Sequence, residues 1–271
     1  MSAVPGVSAD WLAVRGRADD AARSEALARA AARLAGPGPL VVHDLGSGTG
    51  AMVRWLAPRL AGAQAWVLHD ADPAILSRVD ARGTRDGFGL PINIRTRVEH
   101  LAELPVTAFE GSSLVTASAL LDVITLEEAR AIVTACVASG VPAFFSLSVT
   151  GRVRLSPRDP ADPAFETAFN DHQRRGVDGR RLLGPDAARV VRELFAASGW
   201  RVRTALTPWR LGPGDGQLIG EWLDGWIGAA LEQRAELLPR ATEYRQRRDE
   251  ELARGRLRVS VDHQDVLAWP R

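Results

Sequence analysis

The sequence contains no lysine, and this absence excludes two kinds of chemistry. All 34 residues of the Lys and Arg group are arginine. A Schiff-base nucleophile and a phosphate-binding lysine of the Walker type are therefore both ruled out. The single cysteine, Cys136, excludes an internal disulfide, and its Ala- and Val-rich helical surroundings predict a buried, inert thiol.

An excess of charge of one sign is also lacking. The formal net charge is +1, which points to neither a nucleic acid nor an acidic membrane surface as a partner. No apolar run approaches the length of a membrane span, and no signal peptide begins the chain. Metal-ligand spacings such as paired Cys-x-x-Cys are missing too. We expect a cytoplasmic protein without a metal site, and the sequence does not indicate its oligomeric state.

The most informative stretch runs from residue 39 to residue 50 and reads PLVVHDLGSGTG. Its apolar first half, bounded by Pro and Gly, predicts a buried strand, and the residues after Gly50 switch to helical spacing. Gly46, Gly48 and Gly50 permit backbone conformations that a Cβ would forbid and allow close approach to a ligand. The stretch predicts a strand, a ligand-binding loop that includes Ser47, and a helix.

The ligand is narrowed by two acidic residues. The glycine spacing with Ala51, and Asp70 about twenty residues further on, fit the dinucleotide fingerprint. Asp44 lies two residues before the first glycine, where it would repel a pyrophosphate but attract an ammonium group. A ligand with an amine and a ribose, S-adenosylmethionine, is therefore favoured. An NAD(P)-dependent oxidoreductase and a non-catalytic S-adenosylmethionine-binding scaffold stay open as alternatives.

At these residues the chain resembles a known family. Asp44-Leu-Gly-Ser-Gly-Thr-Gly50 is similar to the first motif of class I S-adenosylmethionine-dependent methyltransferases. Residues 66–76, WVLHDADPAIL, resemble the second strand of that family, which ends in an acid. The resemblance can be followed to about residue 150 and returns weakly near 184–207. It implies methyl transfer from S-adenosylmethionine, with S-adenosylhomocysteine as product.

The resemblance also implies which residues contact the cofactor. Asp72, followed by Pro73, has a helix-capping role, so Asp70 is the expected ribose ligand. The family's adenine contact is typically an acid after a glycine that follows the third strand, and Glu99 is the nearest candidate here. The expected cofactor-binding residues are Asp44, Gly46, Ser47, Gly48, Gly50, Asp70, Ala71, Glu99 and Ser118.

The fold implied by the family is an α/β fold with a doubly wound, seven-stranded and mostly parallel sheet. Apolar patterning places its strands at residues 39–45, 65–69, 92–98, 113–117, 142–149, 200–207 and 257–261. We expect an N-terminal helical segment (1–38), the S-adenosylmethionine-binding α/β domain (39–211), a helical insertion before the last strand (212–255), and the last strand with the C-terminal tail (256–271).

The acceptor is expected to be a small molecule. The chain has neither the Asn/Asp-Pro-Pro-aromatic tetrad of amino-methylating nucleic-acid enzymes nor a Pro-Cys nucleophile for cytosine. In-line displacement from a sulfonium depends mainly on alignment, and a base is needed only for a protonated acceptor. His172 and His263 are the candidate bases, because imidazole titrates near neutrality.

The acceptor site should lie where strands four, five and six of the sheet end. Five residues of the connecting segments are the expected substrate-binding residues, with the helical insertion closing the pocket: Asp122, Asn170, Gln173, Trp209 and Arg210. Arg15 and Arg23 precede the first strand, where a basic residue could reach a carboxylate, but a solvated helix face is the preferred interpretation. Trp222 and Trp226 are expected to be core residues.

Overall fold

A computed structural model describes residues 8–177 and 179–271. In chain order its helices are α1 (Ala9–Ala22), α2 (Glu25–Ala35), α3 (Ala51–Leu56), α4 (Pro73–Leu76), α5 (Leu126–Ser139), α6 (Asp162–Gln173), α7 (Ala187–Ala197), α8 (Gly216–Gln233) and α9 (Leu238–Ala253). Its strands are β1 (Leu40–Leu45), β2 (Gln64–Asp70), β3 (Asn93–Val98), β4 (Leu114–Ser118), β5 (Ala143–Ser156), β6 (Gly176–Val177), β7 (Arg180–Arg181), β8 (Arg201–Leu206), β9 (Trp209–Leu211) and β10 (Arg258–Trp269).

The central sheet has the strand order β3-β2-β1-β4-β5-β10-β8, and β9 pairs with β10 beside β8. Strands β1 to β5 pair in parallel, whereas β10 runs antiparallel to both of its neighbours. The chain turns from one half of the sheet to the other between β1 and β4, so the carboxyl ends of these two strands form the topological switch point. The predicted doubly wound, mostly parallel sheet is confirmed.

The sixth predicted strand is divided in two. Strand β8 ends at Leu206 and β9 begins at Trp209. Pro208 lies between them, and proline has no N–H to donate to a sheet ladder. The sheet therefore has eight strands where seven were predicted.

Two strands are longer than predicted. Strand β5 continues to Ser156 and pairs with β10 from Arg258 opposite Ser156 to Ala268 opposite Ala143. The sequence pattern predicted that this strand ends at residue 149, because Gly151 interrupts the apolar run. Gly151, at φ +80°, does not end the strand. We call the paired residues 149–156 and 258–263 the β5–β10 arm. It extends beyond the carboxyl ends of β1 and β4, so a segment expected to be a loop is a rigid wall.

Three apolar cores stabilise the fold. One packs α2 and α3 on the first face of the sheet around Trp66, and another packs α5 and α7 on the second face around Phe145. The third lies among α6, α8, α9 and the β5–β10 arm, with Trp226 1% exposed at its centre. The two helices predicted before the last strand therefore form a cap on the arm, together with α6. The predicted domain boundaries at residues 38, 211 and 255 stay predictions.

A buried arginine fixes the cap in place. Arg248 of α9 donates hydrogen bonds of 2.7 Å to the carbonyl of Pro157 and to Glu251, and it also pairs with Asp162 at the start of α6. Its side chain is fully buried. Among the described residues, no helix is both long and apolar enough to cross a membrane.

One buried carboxylate connects three segments that are distant in sequence. Asp265 lies at an irregularity in the β10 ladder. Its Oδ1 accepts hydrogen bonds from the backbone N–H of Leu147 (2.8 Å) and from the hydroxyl of Thr207 (2.9 Å). Its Oδ2 accepts from the N–H of Ser24, at the N-cap of α2 (2.8 Å). Burial raises the pKa of Asp265, and these three donors oppose that rise.

Replacing Asp265 with Ala should destabilise the protein by about 2 kcal/mol or more, because two backbone N–H groups and one hydroxyl lose their buried acceptor. Asp262→Ala is the control, since its partner Arg154 is about half exposed and such pairs contribute about 0–1 kcal/mol. Urea unfolding monitored by circular dichroism measures both variants. Equal stabilities of the two variants would contradict the role given to Asp265.

Candidate active site

The glycine loop joins β1 to α3 at the switch point. Gly46, Gly48 and Gly50 have φ values of +59°, +54° and +82°, a region in which side chains with a Cβ are strained. The loop is anchored to the end of β2, because the N–H of Ser47 donates to the carbonyl of His69 (2.9 Å). The three glycines are thus required by the backbone path itself.

Asp44 is buried at the carboxyl end of β1 with one oxygen unused. Its Oδ1 accepts a hydrogen bond from the hydroxyl of Thr116 (2.8 Å). Its Oδ2 is buried without a partner among the described residues. Burial raises the pKa of Asp44 to about 7, and the nearby guanidinium of Arg23 opposes the rise. An incoming cation would satisfy the free oxygen and lower this pKa.

Arg23 follows α1 and lies opposite Asp44, so the preferred interpretation of a solvated helix face is wrong for it. Its side chain is 1% exposed. One terminal nitrogen pairs with Asp20 and the other donates to the hydroxyl of Ser118 (3.0 Å), but Nε is buried without a partner in the described chain. Burial lowers the pKa of Arg23. The site therefore holds an unused buried donor and an unused buried acceptor, on two residues whose charges interact.

Asp70 shapes the glycine loop as well as facing it. Its Oδ2 accepts from the N–H of Gly48 (2.9 Å), and its Oδ1 accepts from the N–H of Asp72 (3.1 Å). Sequence reasoning assigned no local structural role to Asp70, and this is corrected. Asp72 caps α4 through the N–H of Ala74 (2.8 Å) as expected. Ala71 is exposed beside Asp70.

Glu99 belongs to a buried chain that the sequence analysis missed. Its Oε2 lies 2.6 Å from Nδ1 of His69, and Nε2 of His69 lies 2.9 Å from Nδ1 of His43. Burial lowers the pKa of both imidazoles, that of His43 to about 4. The sequence did contain a signal for this chain of contacts. His43 directly precedes Asp44, and His69 directly precedes Asp70, near the ends of the neighbouring parallel strands β1 and β2. One oxygen of Glu99 is thus already engaged, which leaves the adenine contact a prediction.

A cavity of about 160 Å³ lies beyond the carboxyl end of β4 and beside the middle of β5, between α1, the cap and the β5–β10 arm. It is lined by Trp11, Arg15, Ala119, Asp122, Leu147, Val149, Gly151, Val153, Phe169, Asn170, Gln173, Trp209, Trp222, Val261 and His263. The structure thus brings together four of the five expected substrate-binding residues and one of the two candidate bases. Their roles stay predictions.

Two residues at the floor of this cavity are held in a conformation that costs energy. Ala119 and Leu147 have φ values of +51° and +57°, which are uncommon for residues with a Cβ. The N–H of Ala119 donates to the carbonyl of Ser146 (2.9 Å), and that of Leu147 donates to Asp265. Such strain concentrates at functional sites.

His263 faces the cavity as a neutral imidazole. Its Nδ1 lies 2.9 Å from the carbonyl of Val261, so Nδ1 carries the proton and Nε2 keeps a free lone pair. Burial, assisted by the charge of Arg15, lowers its pKa to about 4. The ring packs at 5.2 Å from that of Trp209. His263 is therefore placed as an acceptor of a proton or of a hydrogen bond.

The charged residues of the cavity are Asp122 and Arg15. Burial raises the pKa of Asp122 to about 6. Arg15 lies over the ring of Trp209 at 5.0 Å and forms two hydrogen bonds, of 2.8 and 3.1 Å, with Asp19. Arg15 is thus partly buried and paired, contrary to the solvated face preferred from sequence. Asp122 has no ion-pair partner in the part of the chain that the structure describes.

Asn170 and Gln173 lie on one face of α6. The side-chain N–H of Asn170 donates to the carbonyl of Gly151 (2.7 Å), which fixes the orientation of the amide. Its Oδ1 and the Oε1 of Gln173 are both buried without a partner in the described part of the chain. Buried oxygens of this kind are normally hydrogen-bonded, so both residues await a donor.

Two expected site residues lie outside the cavity. His172, on another face of α6, pairs with Glu232 (2.9 Å) and contacts Arg175 (3.0 Å), and burial lowers its pKa. Arg210 is exposed on β9, because alternation along a strand sends Trp209 and Leu211 inward and Arg210 outward. Neither is placed to act on an acceptor in the cavity, contrary to the sequence prediction.

Both tryptophans of α8 are core residues, as expected. Trp222 also lines the cavity, a contact that was not predicted. Cys136 is buried in α5, and burial raises the pKa of its thiol. Among the described residues no group of His, Cys, Asp and Glu is arranged to hold a metal ion.

No protein-family model and no curated protein matches the chain. Solved structures do match. The cyclopropane synthase MmaA2 from Mycobacterium tuberculosis has 13% identity and a TM-score of 0.47, over 90% of this chain and 83% of that one. The magnesium protoporphyrin IX methyltransferase ChlM from Synechocystis PCC 6803, with bound S-adenosylhomocysteine, has 15% identity and a TM-score of 0.45, over 76% and 84%.

The mycolic acid cyclopropane synthase CmaA1, also complexed with S-adenosylhomocysteine, has 15% identity and a TM-score of 0.45, over 90% of this chain and 83% of that one. Two of these three structures contain bound S-adenosylhomocysteine.

Asp44→Asn should stabilise the ligand-free protein at about pH 8 and leave its stability nearly unchanged at about pH 4. The folded-state pKa of about 7 lies above the unfolded value of about 3.9, so ionisation of Asp44 costs stability as pH rises through this range. Asparagine keeps the acceptor for Thr116 and removes the buried charge. Thermal unfolding of both proteins across pH measures the difference, and a gap that does not grow with pH would contradict the burial of an ionisable carboxyl here.

Proposed function

We propose that the protein transfers a methyl group from S-adenosylmethionine to a small molecule bound in the 160 Å³ cavity. One observation carries the proposal. The glycine loop is flanked by a buried carboxylate oxygen of Asp44 and a buried nitrogen of Arg23, and neither has a partner in the described chain. The ammonium and carboxylate of an amino acid would satisfy both at once, and the methionine part of the cofactor carries this pair of groups.

The other residues around the loop fit the remaining parts of the cofactor. Asp70 keeps lone pairs free at the loop edge for the ribose hydroxyls, since each of its oxygens accepts one hydrogen bond. Glu99 follows β3 and is the candidate for the adenine contact. Ser118, which accepts from Arg23, holds the guanidinium at the carboxylate position.

The two binding regions share one short segment. A Cβ on Gly46 would lie 2.5 Å from Cδ1 of Leu120, so Leu120 packs directly on the glycine loop. Its neighbour Ala119, in its strained conformation, lines the cavity. Residues 118–122 therefore border both regions, so a donor at the glycine loop and an acceptor in the cavity would be neighbours, as an in-line displacement requires.

When bound, S-adenosylmethionine supplies an electrophilic methyl group on a good leaving group. The chain's own residues align the acceptor against it and exclude water, because the cavity lies between α1, the cap and the sheet. His263, neutral and with Nε2 free, and Asp122, with a pKa raised to about 6, are the groups that could receive a proton from the acceptor.

Arg23→Met and Asp44→Asn should each weaken S-adenosylmethionine binding about tenfold or more, because a charge-assisted hydrogen bond contributes about 1.5–3 kcal/mol and about 1.4 kcal/mol is tenfold in affinity. Arg29→Met, on the exposed side of α2, is the matched control. Isothermal titration calorimetry of each variant measures the loss.

The same titration with NAD tests the alternative dinucleotide function, which the unpaired carboxylate of Asp44 disfavours. Binding of NAD in preference to S-adenosylmethionine would overturn the proposal. Transfer of a labelled methyl group from S-adenosylmethionine to a component of a small-molecule extract is the test of activity itself, and its absence would favour the scaffold alternative.

Binding of S-adenosylmethionine should release protons near neutral pH. Asp44, with a pKa of about 7, is partly protonated there, and a cation beside it lowers this pKa. The contribution of Asp44 to affinity should therefore increase as pH rises through about 7 and then level off. Calorimetry in buffers of different ionisation enthalpy counts the protons, and Asp44→Asn should abolish the released fraction.

A further inference from the structure

We propose that the acceptor is a small alkylamine, bound in the cavity as its ammonium ion between aromatic side chains and Asp122. Methyl transfer to this amine rests on the proposed function, whereas binding of the amine does not.

Aromatic side chains line the cavity. Trp11 of α1, Phe169 of α6, Trp209 of β9 and Trp222 of α8 all line this one small space. Aromatic faces attract cations, and the guanidinium of Arg15 already lies over the ring of Trp209. Trp11, Phe169 and Trp222 are the rings that remain for an ammonium group. Four separate elements contribute the four rings, so the cavity is built by the tertiary fold.

The charged side chains at the cavity also favour a cation. Asp122 is the carboxylate in the cavity wall, and the guanidinium that faces it, Arg15, already donates two hydrogen bonds to Asp19. His263 is neutral, with a pKa near 4. Asp19 does not line the cavity, but its pair with Arg15 is neutral, so the carboxylate of Asp122 leaves one net negative charge that favours a cation over an anion. This corrects the sequence expectation that an arginine, Arg210, would face the acceptor.

Several side chains at the cavity have hydrogen-bond acceptors without a partner in the described chain. His263 offers Nε2, and Asn170 and Gln173 each have a buried side-chain oxygen without a partner in the described chain. All of these groups, like the carboxylate of Asp122, are acceptors. An ammonium ion has only donors and complements them, whereas a carboxylate ligand has only acceptors and would leave them unsatisfied.

The size of the cavity limits the amine. A volume of about 160 Å³ is close to that of an engineered apolar cavity of about 150 Å³ that binds benzene. The ligand is therefore about the size of one small ring or a short branched chain.

The ammonium ion must lose a proton before methyl transfer, and Asp122 is placed to accept it. The ammonium nitrogen first gives one proton to the carboxylate of Asp122, whose pKa of about 6 makes it a better acceptor than His263. The freed lone pair then forms the N–C bond while the S–CH₃ bond breaks and its electron pair passes to sulfur. The product is the N-methylated ammonium ion with S-adenosylhomocysteine, and the proton on Asp122 leaves to solvent.

The test compares three ligands of nearly equal shape: cyclopentylamine, cyclopentanol and cyclopentanecarboxylate. Each is titrated calorimetrically into the 271-residue chain, with and without saturating S-adenosylhomocysteine. We expect the amine to bind about tenfold or more tightly than the alcohol, and the carboxylate not to bind. Equal binding of amine and alcohol, tighter binding of the carboxylate, or no binding of any of the three would overturn the proposal.

Asp122→Asn keeps the shape of the side chain and removes its charge. It should weaken amine binding about tenfold or more and leave alcohol binding within about twofold, a loss of about 1.4 kcal/mol specific to the cation. Asp224→Asn, 69% exposed on α8, is the matched control and should change neither. Thermal unfolding shows whether each variant is folded. If a variant does not fold, the titrations of the three ligands into the wild-type protein still test the proposal.

The two proposals fail separately. If S-adenosylhomocysteine does not bind, the proposed function fails, while amine binding is still decided by the titrations without it. If S-adenosylhomocysteine binds and the amine does not, the acceptor class is wrong and the proposed function stands.

Discussion

The buried carboxylate of Asp265 is the interaction on which the site depends. It fixes the strained backbone at Leu147, the break between β8 and β9 at Thr207, and the start of α2 at Ser24. These three points position the cavity floor, the cavity wall and the turn that carries Arg23. A single acceptor thus sets the relative positions of groups that lie far apart in the sequence. A buried carboxylate is stable in this role because donors surround it.

The cavity results from one departure from a simple doubly wound sheet. Strands β5 and β10 continue past the ends of their neighbours, and α6, α8 and α9 pack on this β5–β10 arm as the cap. The space left between cap, arm and α1 is enclosed by rings from four elements. The cap has its own apolar core, and hydrogen bonds from Arg248 hold it in place. The wall of the cavity is therefore formed without a ligand.

Stability and function oppose each other around the glycine loop. Asp44 and Arg23 are buried charges with unused hydrogen-bonding atoms, and both have pKa values shifted toward their neutral forms. Neither arrangement is favourable for the ligand-free protein. Both become favourable beside a ligand that carries the opposite charges. The strained residues Ala119 and Leu147 next to the loop follow the same pattern.

The sequence alone determined the features that depend on neighbouring residues. The glycines of residues 46–50 need positive φ, Asp72 caps its own helix, and the apolar runs alternate with helical patterns in the order of a doubly wound sheet. Tertiary structure decided which side chains share a space. Gly151 did not end its strand because β10 pairs across it, His172 turned to Glu232, and Arg210 turned to solvent. Such outcomes depend on contacts between distant segments, and the local pattern of a sequence does not encode them residue by residue.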